Sequence, residues 1–155
     1  VAIDLLGPFP TTSRGNRFVL CITDRFSKMY VAVPLSGQTA STVAQKIVDR
    51  WIAVFGIPLT LLSDNESAFA SKFVCVLTHV LGVKKVLTSP YRPITNGQVE
   101  RWNATLVYSL SALAFEKDWD LSVGLAFIAY NWTVHTRTGY APIELSSTRD
   151  PCPNF

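Results

Sequence analysis

Two strand-like runs, each carrying a carboxylate, constrain this chain most. Val1–Leu6 is apolar apart from Asp4 and stops at Gly7-Pro8, while Leu61-Leu62-Ser63 ends in Asp64. Between Asp64 and a third acid, Glu100, lie 35 residues. Pro8–Asn16 reads as a turn-rich loop, and Arg17–Asp24 and Lys28–Leu35 as two β-favouring runs around a tight turn, Arg25-Phe26-Ser27. Three strands in a meander are therefore expected first. Thr39–Phe55 follows as a helix, with Val43, Ile47, Trp51 and Val54 at helical spacing and Gly56 and Pro58 as its stop. Pro58–Ser63 is then a short strand, Phe69–Leu81 a helix closed by Gly82, and Val83–Thr88 another strand. The order is β-β-β-α-β-α-β, followed by helices. Thr95-Asn96-Gly97-Gln98 fits a capping box, so a helix starts there with Val99, Trp102, Leu106, Leu110 and Leu113 as its apolar stripe. Glu100 falls off that stripe, in the first turns. A last long helix covers about Asp118–Val134, with Leu121, Leu125, Ile128 and Trp132 on one face. Phe127 and Tyr130 widen its apolar surface, which suggests a second buried side against another subunit. Pro142–Ser146 reads as one further short helix.

The chain has 155 residues, most simply one domain. A hydrophobic fraction of 48% against 16% charged residues excludes a disordered tail. A net charge of +3 permits contact with nucleic acid without arguing for it, so any electrostatic footprint must come from local clusters such as Lys84-Lys85 or Arg92 with Arg101. Cys21, Cys75 and Cys152 are odd in number and widely spaced, which does not suit a disulfide framework; free thiols in a reducing, intracellular compartment are expected. His79 and His135 have no cysteine partners at zinc-finger spacing. No apolar run reaches about 18 residues, so no membrane span is expected. The chain starts inside a strand-like run and is expected to be the core of a longer protein.

Three acids from two strands and a helix can hold two divalent ions. Two Mg²⁺ ions about 3.5–4 Å apart suit in-line phosphoryl transfer, activating one oxygen and stabilising the other. Mg²⁺ takes oxygen ligands, keeps several waters and needs only a few carboxylates. Asp4 would bridge both ions, with Asp64 and Glu100 each completing one site. The spacing leaves a plainer alternative open, in which turn amides satisfy Asp4 and Asp64 while Glu100 is surface.

The residues around the acids are more specific. Asp4-Leu5-Leu6-Gly7-Pro8, Ile22-Thr23-Asp24-Arg25-Phe26-Ser27-Lys28, Ser63-Asp64-Asn65 and the segment from Pro90-Tyr91-Arg92-Pro93 through Asn96-Gly97-Gln98-Val99-Glu100-Arg101-Trp102-Asn103 closely resemble the integrase catalytic core of retroviruses and long-terminal-repeat retrotransposons, especially the Ty3/gypsy class. Asp118-Trp119-Asp120, Ala129-Tyr130-Asn131 and His135 through Leu145 extend the likeness, which covers residues 1–150; residues 151–155 would begin a linker. The resemblance implies an α/β, ribonuclease H-like fold, a mixed five-stranded sheet flanked by helices. It implies an enzyme, a polynucleotidyl transferase and endonuclease that uses Mg²⁺ or Mn²⁺ to trim the 3′ ends of element DNA and join them to target DNA in the nucleus. Asp4, Asp64 and Glu100 would be its catalytic metal carboxylates. Tyr91, Pro93 and Asn96 would hold the reactive DNA end, and Arg92 and Arg101 are further candidates for DNA phosphate. The partners implied are element-end DNA, target DNA and further copies of the chain, a homodimer or larger assembly paired through helices matching about Thr39–Phe55 and Asp118–Val134.

One departure bears on activity. The family usually carries glycine two residues after the second aspartate, where this chain has Glu66. Glycine there serves a positive φ or the close approach of a ligand, and glutamate adds negative charge where DNA phosphate must come. Thr148 stands where a further glycine is common. Two other readings therefore stand: a degenerate or domesticated integrase domain that binds DNA or protein without cutting, and a ribonuclease H-like nuclease that does not join. The family's N-terminal zinc domain and C-terminal DNA- or chromatin-binding domain find no match in these residues.

Overall fold

The structure, a computed structural model, describes residues 1–63, 79, 81–87 and 118–147. Within them, β1 (Ala2–Leu6), β2 (Phe18–Thr23) and β3 (Tyr30–Leu35) form the expected meander. α1 runs from Ala40–Ile47 through a π-helical turn, Val48–Ile52, to Ala53–Phe55. β4 (Thr60–Ser63), β5 (Lys84–Leu87), α2 (Trp119–Trp132) and α3 (Pro142–Ser147) complete the described elements. The five strands make one mixed sheet in the order β3-β2-β1-β4-β5. β1 pairs antiparallel with β2 and parallel with β4, and β4 pairs parallel with β5. The fold class expected from the sequence is the one observed. Each expected strand is trimmed by a residue or two at its ends. The helices expected over 69–81 and from Thr95 lie outside the described residues, except for a helical His79 and a turn at Leu81-Gly82.

Alternation sorts the sheet residues onto two faces. Ile3, Leu5, Leu20, Ile22, Val31, Val33 and Leu35 turn toward α1 and pack with Val43, Ala44, Ile47 and Trp51. Val19, Cys21 and Tyr30 turn the other way and meet Trp119 and Val123 of α2. Fully burying a side chain of this size contributes roughly 1.5–3 kcal/mol. Thr39 caps α1 through its side chain, which accepts from the Thr42 amide at 3.3 Å. Gly56, at φ +84, ends the helix in a backbone region that side chains rarely adopt. Gly7 is required for a different reason: a Cβ there would stand 2.7 Å from the Arg17 carbonyl oxygen.

Two expectations about helix faces need correction. The apolar spacing puts Val54 on the inner stripe of α1, but it is 66% exposed. The π turn inserts an extra residue per turn and shifts the phase of the stripe. Phe55 takes the inner position instead, with its ring 4.7 Å from that of Trp51. On α2 the even stripe Leu121, Leu125, Ile128 and Trp132 is the exposed face, at 60, 65, 53 and 69%. The face turned to the sheet carries Trp119, Asp120, Val123 and Asn131.

Polar side chains fix that choice. The Asn131 amide accepts from the Tyr30 backbone amide at 2.9 Å and donates to the Tyr30 carbonyl at 2.7 Å. It pairs with edge strand β3 much as a further strand would. At the other end of α2, Asp120 accepts from Thr12 Oγ1, Arg14 Nε and Nη2, and Asn16 Nδ2 at 2.6–3.2 Å. Asp118 accepts from the Ser13 amide at 3.0 Å, and Trp119 Nε1 donates to the Pro10 carbonyl at 2.7 Å. The loop leaving β1 is thus tied to the start of α2. Burial alone would raise the Asp120 pKa, but hydrogen bonds from Arg14, Asn16 and Thr12 together hold it below its ordinary 3.8.

Replacing Asn131 with alanine strands the Tyr30 amide and carbonyl, and each unsatisfied buried group costs about 1–3 kcal/mol. Urea unfolding of Asn131→Ala is expected to show a loss of roughly 2–4 kcal/mol. Because the folded pKa of Asp120 is lowered, its stabilisation is present above the unfolded value of 3.8 and is lost as pH falls through the folded value. Thermal melting at falling pH should therefore drop more steeply for the parent than for Asp120→Asn, with the two curves converging below that window.

Candidate active site

Asp4 sits at the middle of β1, opposite Cys21 of β2. By alternation it faces away from α1, on the side that carries Ala2, Leu62 and Cys21. It is half-buried, and its Oδ1 accepts from the Leu5 amide at 2.9 Å. A carboxylate here is tolerated because it keeps access to solvent from the middle of a strand whose other face is core.

The surroundings of Asp4 register its charge. Burial is the main reason that the Cys21 thiol is pushed up to about 12; the Tyr30 hydroxyl, 2.8 Å from Sγ, works against this, and Asp4 adds to it. Tyr30 is also raised well above its ordinary value, first by burial, then by Cys21, with Asp4 and Tyr130 contributing. Neither group titrates near neutral pH. Cys21 is a buried free cysteine, as expected from the sequence.

β4 lies beside β1, with Leu62 level with Ala2, and it ends at Ser63, the residue before Asp64. Asp64, Glu66, Tyr91, Arg92, Pro93, Asn96, Glu100 and Arg101 lie outside the described residues. The structure thus places one of the expected metal carboxylates and the strand that leads to the second. Among the described residues, no three His, Cys, Asp or Glu side chains gather closely enough to hold a metal ion. Asp4 supplies a hard oxygen donor of the kind Mg²⁺ takes, on a solvent-accessible face.

Sequence reasoning missed the Asp120 cluster at the start of α2. Asp118-Trp119-Asp120 stood out only through its likeness to a family. Nothing local announces that Asp120 reaches Thr12, Arg14 and Asn16 more than 100 residues away. A charged residue inside an otherwise apolar helix start was the available signal.

The Integrase core domain family matches residues 1–93, from β1 through the expected Tyr91–Pro93 turn. The chain belongs to the integrase core domain family. Its relatives include retroviral and transposon polyproteins, of which it spans a small part. It is 40% identical over 134 residues to the Gag-Pol polyprotein of Woolly monkey sarcoma virus, covering 84% of this chain and 8% of that one. It is 30% identical over 154 residues to the Transposon Tf2-3 polyprotein of Schizosaccharomyces pombe, covering 97% of this chain and 12% of that one. The chain therefore spans about a tenth of the length of these polyproteins.

Solved structures agree on the fold. The simian T-cell lymphotropic virus intasome, solved in complex with the PP2A regulatory subunit B56 gamma, matches 99% of this chain and 56% of its own with a TM-score of 0.81 at 22% identity. The HTLV-2 integrase catalytic core domain, solved with magnesium in a trimeric form, matches 94% of this chain and 93% of its own with a TM-score of 0.73 at 17% identity. The ribonuclease H-like architecture of this integrase core is thereby established, with Asp4 on its central strand.

The burial of Cys21 gives a direct check. In a Cys75→Ser/Cys152→Ser background, Ellman's reagent at pH 8 is expected to leave Cys21 unmodified in the folded protein and to titrate it fully in guanidinium. Rapid reaction of the native thiol would show that the packing of Trp119 and Val123 of α2 over Cys21 opens to solvent.

Proposed function

We propose that this integrase core catalyses metal-dependent trimming of the 3′ ends of element DNA and their joining to target DNA. Asp4, Asp64 and Glu100 would hold two Mg²⁺ or Mn²⁺ ions, with Asp4 shared between them. The observation that carries this reading is the position of Asp4, on the central strand, turned from the α1 core and beside the strand that runs into Asp64. Bound there, the ions would supply an activated oxygen nucleophile and charge stabilisation for the leaving oxygen. The chain's own part is positional. Asp4 stands on a strand paired with β2 and β4, and its Oδ1 accepts from the Leu5 amide at 2.9 Å, which orients the carboxylate before any ligand arrives. Tyr91, Pro93 and Asn96 would seat the reactive DNA end, and Arg92 and Arg101 would contact its phosphates. The magnesium-bound HTLV-2 core supports the choice of metal by likeness of fold.

The exposed apolar stripe Leu121, Leu125, Ile128 and Trp132, with Val54 of α1, supports self-association as a homodimer or larger assembly. Action on chromosomal DNA would place the protein in the nucleus. Among the described residues, no helix is long and apolar enough to cross a membrane. A second reading rests on Glu66: a domain that keeps the three acids yet no longer cuts, and acts by binding.

Splitting and joining of a pre-branched DNA substrate in Mg²⁺ or Mn²⁺ tests both readings. The parent is expected to act, and Asp4→Asn and Asp64→Asn to lose about 10²-fold or more, since each removes several kcal/mol of charge stabilisation. A silent parent with activity recovered in Glu66→Gly would establish the disabled form. Folded protein that is silent in every variant would overturn the catalytic reading.

A further inference from the structure

The β2–β3 turn and the segment after α2 bring four basic side chains together at one end of the sheet, and the chemistry at Asp4 uses none of them. Arg25 and Lys28 come from the turn, His135 and Arg137 from the chain between α2 and α3. The two pieces are joined by Tyr130 Oη, which donates to the Lys28 carbonyl at 3.0 Å, and by Asn131 on the Tyr30 backbone, so the end of α2 that leads to His135 lies against the turn; the electrostatics agree with this placement. Burial, then Arg137 and Arg25, lower the Lys28 pKa, with Asp24 opposing. Burial, then Lys28 and Arg137, lower that of His135. Arg25 and Arg137 are exposed.

The cluster is built on a fixed frame. Asp24 Oδ2 accepts from the Ser27 amide and hydroxyl at 2.9 and 2.6 Å, which closes the turn. Lys28 holds φ +66, a conformation that costs a non-glycine residue energy and that its surroundings must impose. Its Nζ donates to the Arg25 carbonyl, and its own carbonyl accepts from Tyr130 Oη at 3.0 Å. The second loop is closed by the His135 amide on the Tyr140 carbonyl at 3.0 Å and by the Arg137 amide on His135 Nδ1 at 3.2 Å. Phe26, 69% exposed, stands between the two basic residues of the turn, and Tyr140 is exposed on the other loop.

The location separates this surface from Asp4. Asp24 lies three residues beyond Cys21, the partner of Asp4, which is roughly 10 Å along the strand. β1 and β4 run away from this end, toward Leu6 and Ser63.

We propose that Arg25, Lys28, His135 and Arg137 form a second docking surface, one that takes the phosphate backbone of duplex DNA, with Phe26 against the sugar-phosphate edge. This goes beyond the catalytic reading and rests on it only in naming DNA as the polyanion. Charge complementarity selects this occupant. The cations Arg25, Lys28 and Arg137, carried by two loops beside exposed Phe26 and Tyr140, suit a continuous polyanion with one charge about every 1.7 Å, and His135, whose pKa is lowered, adds a neutral hydrogen-bonding ring. Such contacts fix the position of the duplex without reading its sequence.

The test is fluorescence anisotropy of a short labelled duplex over a range of NaCl, in EDTA, so that the outcome does not depend on whether the protein joins DNA. Arg25→Gln/Arg137→Gln changes exposed residues, and thermal melting checks its fold. The slope of log K against log salt is expected to fall by up to about 2, with affinity at low salt roughly tenfold weaker. Arg25→Lys/Arg137→Lys should keep the parental slope. Lys46→Gln/Arg50→Gln removes the same charge from α1 and should leave the slope nearly unchanged. An unchanged slope in the first variant, or an equal fall in the α1 variant, overturns the proposal. So does loss of polyglutamate binding with DNA binding intact, which would assign the surface to an acidic protein. A fall in slope beside a catalytically silent parent would leave the docking surface standing and sink only the catalytic reading.

Discussion

β1 is the strand from which both halves of the sheet hang. It meets β2 antiparallel on one edge and β4 parallel on the other. An antiparallel neighbour can follow through a loop, but a parallel one needs a long crossover. The chain provides it by completing the meander and crossing back through α1 before β4 begins. Because β1 is paired on both edges, its backbone has little freedom to move. Asp4 stands at its centre and is kept out of the α1 core by alternation alone.

The attachment of α2 follows a different logic. This helix is apolar around most of its circumference, so burying hydrophobic area does not by itself choose which side turns inward. The polar residues choose. Asp120 and Asn131 each have several partners available only against the sheet and the β1–β2 loop, and a buried polar group without partners is costly. The inner side is therefore the one that carries them, and Leu121, Leu125, Ile128 and Trp132 are left facing out. The same choice fixes the loop between α2 and α3 beside the β2–β3 turn, where the basic side chains meet.

Three surfaces of this integrase core thus depend on one scaffold. The face around Asp4 belongs to β1 and β4. The exposed apolar stripe belongs to the outer side of α2. The basic cluster belongs to the end of the sheet opposite the direction in which β1 and β4 run. Each is set by a distinct physical term: strand alternation, the satisfaction of buried polar groups, and the closure of two loops by local hydrogen bonds.

Among the described residues, the sequence by itself determined the elements and their order, because those rest on local signals. The alternating runs of β1–β3, the Thr39 cap, the stop at Gly56 and the turn at Arg25-Phe26-Ser27 all act within a few residues. It also placed Asp4 on a strand and, through its resemblance to a family, indicated what such an acid could do. Only the tertiary structure decided that Val54 yields its inner place to Phe55, since a single π turn shifts the phase without any mark in the apolar spacing. It alone decided which face of α2 is buried, because Asp120 and Asn131 find their partners about 100 residues away. It alone brought Arg25 and Lys28 to His135 and Arg137. Apolar periodicity records which residues avoid water; it does not record which distant polar groups must meet, and in this protein those meetings set the faces.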